Sequence, residues 1–419
     1  MMCFFMMRLV YFGSGYVGQV NAAVQASKGH DVVLVDVDES IIKSINSGKP
    51  TIYEKGLEPL IKQAVDAGKL KATLDFRQAV KDSEVIFICV GTPSNPDGSI
   101  DLRAIKSVSK NIGLVLKECV DNKVVVFKST VLPWVPVEMK KYIEKITEQK
   151  ISVVMNPEFL KEGLAVNDCL NPDSIVIGGD LEGVEVVKRV YEWSSVKPSI
   201  TGLKEASLVK YAKNSFLATK ISFANVIANY CDECGLNAKE VLRVMAEDER
   251  INPRFLRNGP GFGGSCFPKD VNALMNDMKG DLLLKAVLDV NRDQYKQMIR
   301  LAERVTKLEG TVAVLGLAFK PGTDDVRESP AIKLVKELVN RDLKVRVYDP
   351  QAIDNAMKEL SGVTPCQSVG ECVQDADVIF IPVPWPEFNN VREYSPAPII
   401  QGHPLIIGLN VFTLGAFSF

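Results

Sequence analysis

The sequence has little of several features that would each assign it to a familiar class of protein. No apolar run is long enough to cross a bilayer, and the opening MMCFFMM lacks a signal-peptide cleavage pattern, so no membrane partner is expected. There are only two histidines, His30 and His403, and no spaced cysteine–histidine cluster, so we expect no metal site. The formal net charge is −2, which argues against a nucleic-acid partner.

Nine cysteines in 419 residues are too few for a disulfide scaffold, and they are typical of a cytosolic protein with reduced thiols. Hydrophobic residues make up 46% and charged residues 24%, the balance of a soluble globular protein. The length exceeds one ordinary core, so we expect two or three domains. We interpret the opening MMCFFMM as an additional start ahead of Met7.

Short apolar runs alternate with helical patterns along the first 200 residues. The runs RLVYFG, DVVLVDVD, EVIFICVG, KVVVFKST, ISVVMNP and SIVIGG each have the length and composition of a buried strand. Strands that alternate with helices predict a parallel, doubly wound sheet. From Thr311 the runs TVAVLGL, KVRVYDP and DADVIFIPV repeat the order of the first set, which predicts a second sheet of related topology.

A long helix is predicted between the two sheets. From Thr201 to about Cys234 the chain has no proline and only one early glycine. Apolar residues recur there at helical spacing, namely Leu208, Ala212, Phe216, Ile221, Ala224 and Ile227. About 30 helical residues span roughly 45 Å, enough to bridge two domains. The predicted domains are residues 7–200, a central helical region at 201–300, and residues 301–419.

The stretch GSGYVG predicts a dinucleotide site. Gly13, Gly15 and Gly18 follow a predicted strand and open a helix, and Asp36 ends the next strand. In such a motif the glycines allow the turn, the approach of a pyrophosphate and close helix packing, while the acidic residue accepts a ribose diol and disfavours a 2′-phosphate. The pattern therefore favours NAD, the alternative being a tight turn without a ligand. The second sheet has AFKPGTDDVR in place of a glycine triplet and should bind something else.

The stretch GPGFGGSCFPKD predicts a reactive thiol at Cys266. Ser265 can cap a helix here and Pro268 is tolerated in its first turn, so the thiol lies at a helix N-terminus, which favours a thiolate. Asp270 follows one turn later, and Gly263 and Gly264 leave room for a substrate at the sulfur. A nucleophilic cysteine beside NAD suggests capture of an aldehyde as a thiohemiacetal that is oxidised to a thioester. The alternative is a small buried cysteine in a glycine-rich loop.

Two further pairs fit this chemistry. Lys210 and Asn214 lie four residues apart on the predicted helix and can stabilise an oxyanion, unless they are a surface lysine and a helix amide. Glu158 and Glu162 of NPEFLKEG are also four apart, and a carboxylate near a thioester can act as base for water. The alternative is that the segment from Asn156 to Glu158 starts a helix.

Together these motifs resemble the UDP-glucose/GDP-mannose dehydrogenase family over about residues 7–387. They are GSGYVG, VGTPSNPDGSIDL, KSTVLP, NPEFLKEG, KYAKNSF, GPGFGGSCFPKD and GLAFKPGTDDVRESP. The resemblance implies an α/β protein with two Rossmann-like doubly wound parallel-sheet domains joined by a long central helix. The last of these domains would bind the UDP-sugar, and the helix would form the interface of a homodimer.

The resemblance also implies an activity, the oxidation of the C6 alcohol of a nucleotide sugar to a carboxylate with two NAD+. The GGSCFPKD form resembles the UDP-glucose branch, so UDP-glucose is the expected substrate, with GDP-mannose or another UDP-hexose as alternatives. A non-catalytic NAD-binding module is the alternative from another class. The family often has an arginine before the asparagine of its last strand, where this chain has Leu409.

Residue roles follow from the same resemblance. Catalysis would involve Cys266, Lys210, Asn214, Asp270, Glu158 and Thr130. The NAD contacts would include Gly13, Gly15, Tyr16, Val17, Gly18, Asp36, Thr92, Thr130, Glu162, Lys269 and Arg327. Substrate contacts would include Glu158, Phe159, Leu160, Lys210, Asn214, Arg250, Phe255, Gly263, Phe319 and Lys320, with Arg250 reaching in from a partner subunit.

Overall fold

The structure is a computed structural model that describes residues 6–119, 121–279 and 281–416. Residues 1–5, which belong to the predicted additional start, lie outside the described residues. The chain divides between Ala212 and Lys213 into two compact units. None of the helices in the described ranges is long and apolar enough to cross a membrane.

The first unit is built around an eight-stranded sheet with the order β3-β2-β1-β4-β5-β6-β7-β8. Its strands are β1 (Arg8–Phe12), β2 (Asp31–Val35), β3 (Leu70–Thr73), β4 (Val85–Ile88), β5 (Val124–Phe127), β6 (Ser152–Met155), β7 (Val176–Gly179) and β8 (Ser199–Thr201). In β1, Leu9 pairs in parallel with Val32 of β2 and Val85 of β4. Because the strand order reverses here, the crevice beyond the carboxyl ends of β1 and β4 is where such a sheet binds its ligand.

In the part of this unit that the structure describes, eight helices accompany these strands. They are α1 (Tyr16–Ser27), α2 (Glu39–Asn46), α3 (Leu57–Asp66), α4 (Phe76–Asp82), α5 (Arg103–Leu116), α6 (Val135–Thr147), α7 (Ala165–Leu170) and α8 (Leu181–Val190). Residues of α1, α2, α3, α7 and α8 share one apolar core with one face of the sheet. Strands such as β4 and β5 are buried along their whole length, as expected of a parallel sheet covered on both faces.

The six strands predicted in this unit are all present, but one pairs in an unexpected direction. Strand β7 runs antiparallel to β6. The sequence did not predict this, because a mostly buried apolar run such as VIGG carries no information about strand direction. The sequence analysis also missed β3 and β8. Both are short, and β3 alternates buried and exposed positions with Lys71 exposed, so neither reads as an apolar run.

The predicted long helix is α9 (Leu203–Cys234), with 32 residues. The division into two units falls within it, so its first ten residues belong to the first unit and the rest to the second. The predicted apolar stripe does not face one core. In the second unit, Ala224 is fully buried whereas Phe216 is 65% exposed. The exposed apolar positions therefore form a separate face of the helix.

The second unit continues with helices α10 (Ala238–Met245), α11 (Phe267–Asp277), α12 (Leu282–Asp293), α13 (Lys296–Val305), α14 (Pro330–Val339), α15 (Ile353–Ala356) and α16 (Val369–Val373). A 3₁₀-helix spans Pro386–Glu393. The strands are β9 (Thr311–Leu315), β10 (Lys344–Tyr348), β11 (Val363–Pro365), β12 (Val378–Ile381), β13 (Ile399–Gln401) and β14 (Val411–Thr413).

The second sheet has the order β11-β10-β9-β12-β13-β14, and all its pairs are parallel. Numbered from β9, this is the order 3-2-1-4-5-6, the same as that of the first six strands of the first sheet. The prediction of two Rossmann-like α/β domains and a long central helix is therefore confirmed.

Candidate active site

The loop after β1 has the geometry of a dinucleotide-binding turn. Gly13 has φ of 94°, and a β-carbon there would lie 3.0 Å from the backbone of Val90. A β-carbon at Gly18 would overlap the carbonyl oxygen of Gly13, whereas at Gly15 nothing lies within 4 Å of the corresponding position. The packing of the chain itself therefore requires the first and third glycines. The second leaves space for a pyrophosphate to approach the N-terminus of α1.

Asp36 follows β2 and contacts the same loop. Its Oδ2 accepts a hydrogen bond from the N–H of Ser14 at 2.6 Å, and its Oδ1 accepts one from the N–H of Val37 at 2.7 Å. The side chain is still partly exposed, so the carboxylate has lone pairs left for the hydroxyls of a ribose. The glycine turn and this carboxylate therefore fit NAD.

Asp349 has the equivalent place after β10 in the second unit, but it is 2% exposed. Its Oδ2 accepts hydrogen bonds from the N–H groups of Leu317 and Ala318 at 2.7 and 3.1 Å. Its Oδ1 accepts one from the N–H of Ala352 at 2.7 Å. Because the backbone of the same unit already uses this carboxylate, the second unit is not arranged to bind a dinucleotide, in agreement with the expectation from its sequence.

Glu158 and Lys210 form a buried ion pair in the first unit. Lys210 Nζ lies 2.7 Å from Glu158 Oε1, and the two side chains are 4% and 9% exposed. The other carboxylate oxygen accepts a hydrogen bond from the N–H of Leu160 at 2.6 Å. The ammonium group also lies 5.7 Å from the ring centroid of Phe159. Four residues predicted at the sugar-binding end of the site are thus brought together.

Burial raises the pKa of Glu158, but the charge of Lys210 and the hydrogen bonds from Lys210 and Leu160 outweigh that effect and hold the pKa below its usual value. Glu158 is therefore a carboxylate at neutral pH. The alternative that Asn156 to Glu158 start a helix is wrong, because residues 156–161 form a loop and α7 begins at Ala165. The chain turns before that helix at Gly163, which has φ of 81°.

The remaining predicted residues of the first unit lie in loops or in the first turn of a helix, beyond the carboxyl ends of its strands. The side-chain hydroxyl of Thr92, after β4, donates a hydrogen bond to the carbonyl of Thr130, after β5, at 2.9 Å. Tyr16 and Val17 are in the first turn of α1. Glu162 is partly buried in the turn before α7.

In the second unit, Cys266 lies at the N-terminus of α11, as predicted. It is the N-cap residue, and Pro268 is within the first two helical positions, where a missing N–H is tolerated. The thiol is partly exposed and lies 3.6 Å from Ser265 Oγ. The prediction that Ser265 caps the helix is wrong, since the helix begins one residue later than that prediction required and has no side-chain cap.

The two glycines before Cys266 serve a different purpose from the one predicted. A β-carbon at Gly263 would overlap the carbonyl oxygen of Glu328, and one at Gly264 would lie 2.9 Å from the ring of Phe319. The N–H of Gly264 also donates to the carbonyl of Arg327 at 2.8 Å. The space beside both glycines is therefore filled by the segment around residues 319–328 of the same unit, so it is not room for a substrate.

Asp270 is 1% exposed and carries two strong contacts. The amide of Asn214 donates to its Oδ2 at 2.6 Å, and Lys269 Nζ lies 2.6 Å from its Oδ1. Its own N–H donates to the carbonyl of Cys266 at 2.8 Å, within the first turn of α11. The second unit therefore places a buried carboxyl group one turn from the thiol, in contact with the side chains of Asn214 and Lys269.

Three models of one protein family match the chain in succession. The model described as the UDP-glucose/GDP-mannose dehydrogenase family, NAD binding domain, matches residues 7–194, the central domain matches 204–293 and the UDP binding domain matches 313–411. The chain belongs to the UDP-glucose/GDP-mannose dehydrogenase family. It is accordingly an NAD-dependent oxidoreductase, and its last domain is the UDP-binding domain of that family.

Individual relatives agree over nearly the whole chain. A UDP-glucose 6-dehydrogenase of Haloferax volcanii is 40% identical over 398 residues, which cover 91% of this chain and 92% of the relative. The solved structure of a UDP-glucose dehydrogenase from Pyrobaculum islandicum has a TM-score of 0.94 at 35% identity and covers 100% of this chain and 99% of its own. The solved structure of a UDP-D-ManNAc dehydrogenase from Pyrococcus horikoshii has a TM-score of 0.84 at 29% identity. The match covers 98% of this chain and 99% of that one.

Two arginines that the family resemblance placed at the ligands are exposed in this dehydrogenase, and Phe255 is partly buried. The side chain of Arg250 is 87% exposed and pairs with Asp248 at 2.5 Å. Arg327 pairs with Asp325 at 2.6 Å and is also largely exposed. Phe255 has φ of 65°, and its ring lies 6.0 Å from that of Phe267.

The charge at Lys320 lies 5.3 Å from the ring centroid of Phe319, which is the ring that contacts Gly264. The segment expected to bind the UDP-sugar thus also contacts the loop that carries Cys266. In the ranges that the structure describes, no group of three histidine, cysteine or carboxylate side chains is arranged to hold a metal ion.

Two buried charged residues that the sequence analysis overlooked contact residues of the predicted motifs in the first unit. Lys128 of the KST motif is 3% exposed, and its Nζ lies 2.9 Å from Asn156 Oδ1 and 3.1 Å from the hydroxyl of Tyr191. Glu54 is 6% exposed and contacts Tyr16. A lysine that directly ends a fully apolar strand was a usable signal for the first, whereas no local pattern marks the second.

Proposed function

We propose that the protein oxidises C6 of UDP-glucose twice, from alcohol to carboxylate, and so forms UDP-glucuronate. The observation that carries the proposal is the thiol of Cys266 at the N-terminus of α11, one turn from the buried carboxylate of Asp270. Relatives named UDP-glucose 6-dehydrogenase that match nearly the whole chain support the choice of substrate.

In the first step the C6 alcohol loses one hydride and one proton and becomes an aldehyde. The thiolate of Cys266 then adds to the aldehyde carbon to form a thiohemiacetal, and loss of a second hydride leaves a thioester. Water attacks the thioester carbonyl, the carbon–sulfur bond breaks, and the carboxylate and the thiol are released. NAD+ held by the glycine turn and Asp36 would supply the hydride acceptor for both oxidations.

Within this proposal the charged residues handle protons and oxyanions. Lys210 stabilises the oxygen of the alkoxide and of the thiohemiacetal, assisted by Asn214. Asp270 and Thr130 position water and accept protons, and Glu158 assists hydrolysis of the thioester. Because the pKa of Glu158 is held below its usual value, Glu158 accepts hydrogen bonds as an anion and does not serve as a proton donor at neutral pH.

The binding roles of the other residues belong to the same proposal. NAD would be held by the glycine turn with Tyr16, Val17 and Asp36, together with Thr92, Glu162, Lys269 and Arg327. The UDP-sugar would contact the segments that contain Phe159 and Leu160, Arg250 and Phe255, Gly263, and Phe319 and Lys320. Lys320 suits a diphosphate because its ammonium group is a compact charge.

The proposal predicts which sugar is turned over. UDP-glucose is expected to give two NADH per sugar and at least about tenfold higher kcat/KM than GDP-mannose, UDP-galactose or UDP-N-acetylhexosamines, a difference of about 1.4 kcal/mol. Initial rates of NADH formation across this panel, with product identified by mass spectrometry, provide the measurement. If another sugar is oxidised preferentially, that sugar is the substrate and the proposed chemistry is unchanged. Binding of NAD without turnover of any sugar would contradict the proposal.

The loop at Leu409 gives a structural reason to test more than one nucleotide sugar. Leu409, at the position where relatives often have an arginine, is 92% exposed, and Ile407 beside it is 97% exposed. Arg392 donates hydrogen bonds to the carbonyls of Leu409 and Asn410, at 2.9 and 2.8 Å, and so stabilises this loop. A missing arginine would weaken one substrate contact, which is the specific observation that favours a different hexose as the second candidate.

We also propose that the protein is a homodimer that pairs through α9. The exposed apolar residues of that helix in the second unit are Phe216, Phe223, Val226 and Tyr230, which are between 46% and 65% exposed. With Thr219 they are spaced by three and four residues in alternation. Such a heptad stripe is typical of a helix that packs along a second helix, and an apolar face of this kind is rarely left in water.

The dimer proposal predicts that Phe223→Asp converts the protein to a monomer in sedimentation or light-scattering measurements. A charge in the centre of the stripe would be buried without a partner on association, so the dimer dissociates. The matched control is Lys204→Gln, an exposed position off the stripe in the first turn of the same helix, which should remain dimeric. An unchanged mass for Phe223→Asp at low micromolar concentration would contradict pairing through this face.

A cytosolic location is part of the same proposal. The eight cysteines in the described part of the chain are thiols, which is the state that a reducing compartment maintains.

A further inference from the structure

The segment between α2 and α3 contains a buried carboxylate that the proposed chemistry does not use. Glu54 is 6% exposed, although the residues on either side of it are not buried. An ionised carboxylate is costly to bury unless hydrogen-bond donors satisfy it. The donors that surround Glu54 therefore indicate what the residue does.

Glu54 joins two loops that the fold brings from distant parts of the first unit. Its Oε2 accepts hydrogen bonds from the hydroxyl of Tyr16 and, at 2.7 Å, from the N–H of Gly163. Its Oε1 accepts one from the N–H of Ala165 at 3.0 Å. The Tyr16 hydroxyl in turn accepts from the N–H of Gly163 at 2.9 Å. The four groups form one closed network.

The two loops are the ones expected to contact the two ligands. Tyr16 directly follows Gly15 in the dinucleotide turn and is the first residue of α1. Gly163 and Ala165 follow the loop that carries Glu158 and connect it to α7. A displacement of either loop must therefore be transmitted to the other through Glu54.

A second contact holds the same segment against the dinucleotide turn. The fully buried amide of Gln19 donates to the carbonyl of Ser14 and to the hydroxyl of Thr51, both at 2.6 Å. The N–H of Thr51 donates back to Gln19 Oε1 at 3.0 Å. Thr51 and Glu54 thus attach one short segment to both ends of the first turn of α1, which leaves the carboxylate little freedom to move.

We propose that Glu54 is a positioning residue that couples NAD binding to the placement of the loop carrying Glu158. The carboxylate orients the ring of Tyr16 beside the dinucleotide turn and at the same time caps the N–H groups of Gly163 and Ala165. The expected effect on turnover rests on the function proposed above, whereas the expected effect on NAD binding does not. A purely structural role, as a cap for α7, would affect stability without affecting NAD affinity.

The test is a double-mutant cycle with Tyr16→Phe and Glu54→Gln, in which the NAD dissociation constant is measured by calorimetry without sugar. Tyr16→Phe removes only the hydroxyl. Glu54→Gln removes the negative charge and replaces one of the two acceptor oxygens with an NH2 group, which donates. Each single change is expected to raise the dissociation constant about tenfold, and the double change to have about the same effect as one of them, because both break the same link.

The two variants are also expected to differ in kcat at saturating NAD. Glu54→Gln should lower kcat about tenfold because its bonds to Gly163 and Ala165 are weakened, whereas Tyr16→Phe keeps both bonds between Glu54 and those N–H groups and should lower kcat by a smaller factor, about threefold. The matched control is Glu58→Gln, an exposed glutamate in the first turn of α3, which should change neither quantity.

Two results would overturn the inference. One is additive effects of the two substitutions on NAD affinity, and the other is an unchanged affinity in a folded Glu54→Gln variant. If Glu54→Gln does not fold, Glu54→Asp with Tyr16→Phe provides the same cycle. Because NAD affinity is measured without sugar, the cycle gives its answer even if UDP-glucose proves not to be the substrate.

Discussion

Replacement of Cys266 by serine is expected to lower the rate of uronate formation by roughly 1000-fold or more. A serine hydroxyl is a far weaker nucleophile than a thiolate and gives no thioester for water to cleave. NAD affinity should stay within about twofold, because the substitution exchanges one sulfur for one oxygen and leaves the glycine turn, Asp36 and the other proposed NAD contacts unchanged. Product is measured by chromatography of the nucleotide sugars, and NAD binding by calorimetry.

Cys119→Ser is the matched control. Cys119 is another partly exposed thiol, just beyond α5 in the first unit, and its sulfur contacts only a local backbone carbonyl among the bonds described, that of Val115 at 3.4 Å. This variant should retain full activity. Steady-state acid production by Cys266→Ser within about tenfold of the parent enzyme would rule out the covalent mechanism.

Lys210→Met is expected to reduce kcat by roughly 100- to 1000-fold, because it removes the ammonium group that stabilises the developing oxyanion. It should also destabilise the protein by on the order of 3–5 kcal/mol at neutral pH, since it leaves the carboxylate of Glu158 buried without its cation. Initial rates and the midpoint of urea unfolding measure the two effects.

The stability loss in Lys210→Met should depend on pH. With Lys210 present, the pKa of Glu158 lies below its ordinary value, so the ion pair contributes fully above that value, and its contribution is lost as the pH falls through the folded-state pKa. The difference between parent and variant should therefore shrink on acidification. A difference that grows on acidification would contradict this assignment.

The double variant Lys210→Met with Glu158→Met separates stability from catalysis. Removing both charges and filling the site with apolar side chains should recover most of the stability, because an ion pair this deeply buried repays little of its desolvation cost. Activity should not recover, since neither charge is available for catalysis. Recovery of turnover in the double variant would exclude a catalytic role for the pair.

The parts of the fold that could be predicted from the sequence are those that depend on residues close together in the chain. The strand that ends at Phe12, the glycine turn after it and Asp36 at the end of the next strand follow from apolar runs and residue spacing alone. The placement of Cys266 at a helix N-terminus was also predictable, because Pro268 marks a first helical turn.

Other features depend on residues far away in the chain and were misread or missed. The glycines before Cys266 were interpreted as space for a ligand, but that space is filled by Phe319 and by the backbone at Glu328. The direction of β7 was missed because an apolar strand reads the same in either direction. The closed network around Glu54 joins residues that are 38 and 109 positions apart, and no spacing rule connects them.

Sequence alone determined which groups are available for chemistry and which local element carries each of them, because turn geometry, capping and apolar periodicity act over a few residues. Tertiary structure decided the ionic state and the partners of those groups. Glu158 is an anion because folding brings Lys210 within 2.7 Å of it in a buried site, and Asp270 is held by Asn214 from another helix. Burial and electrostatic pairing depend on distances in space, which separation along the chain does not specify.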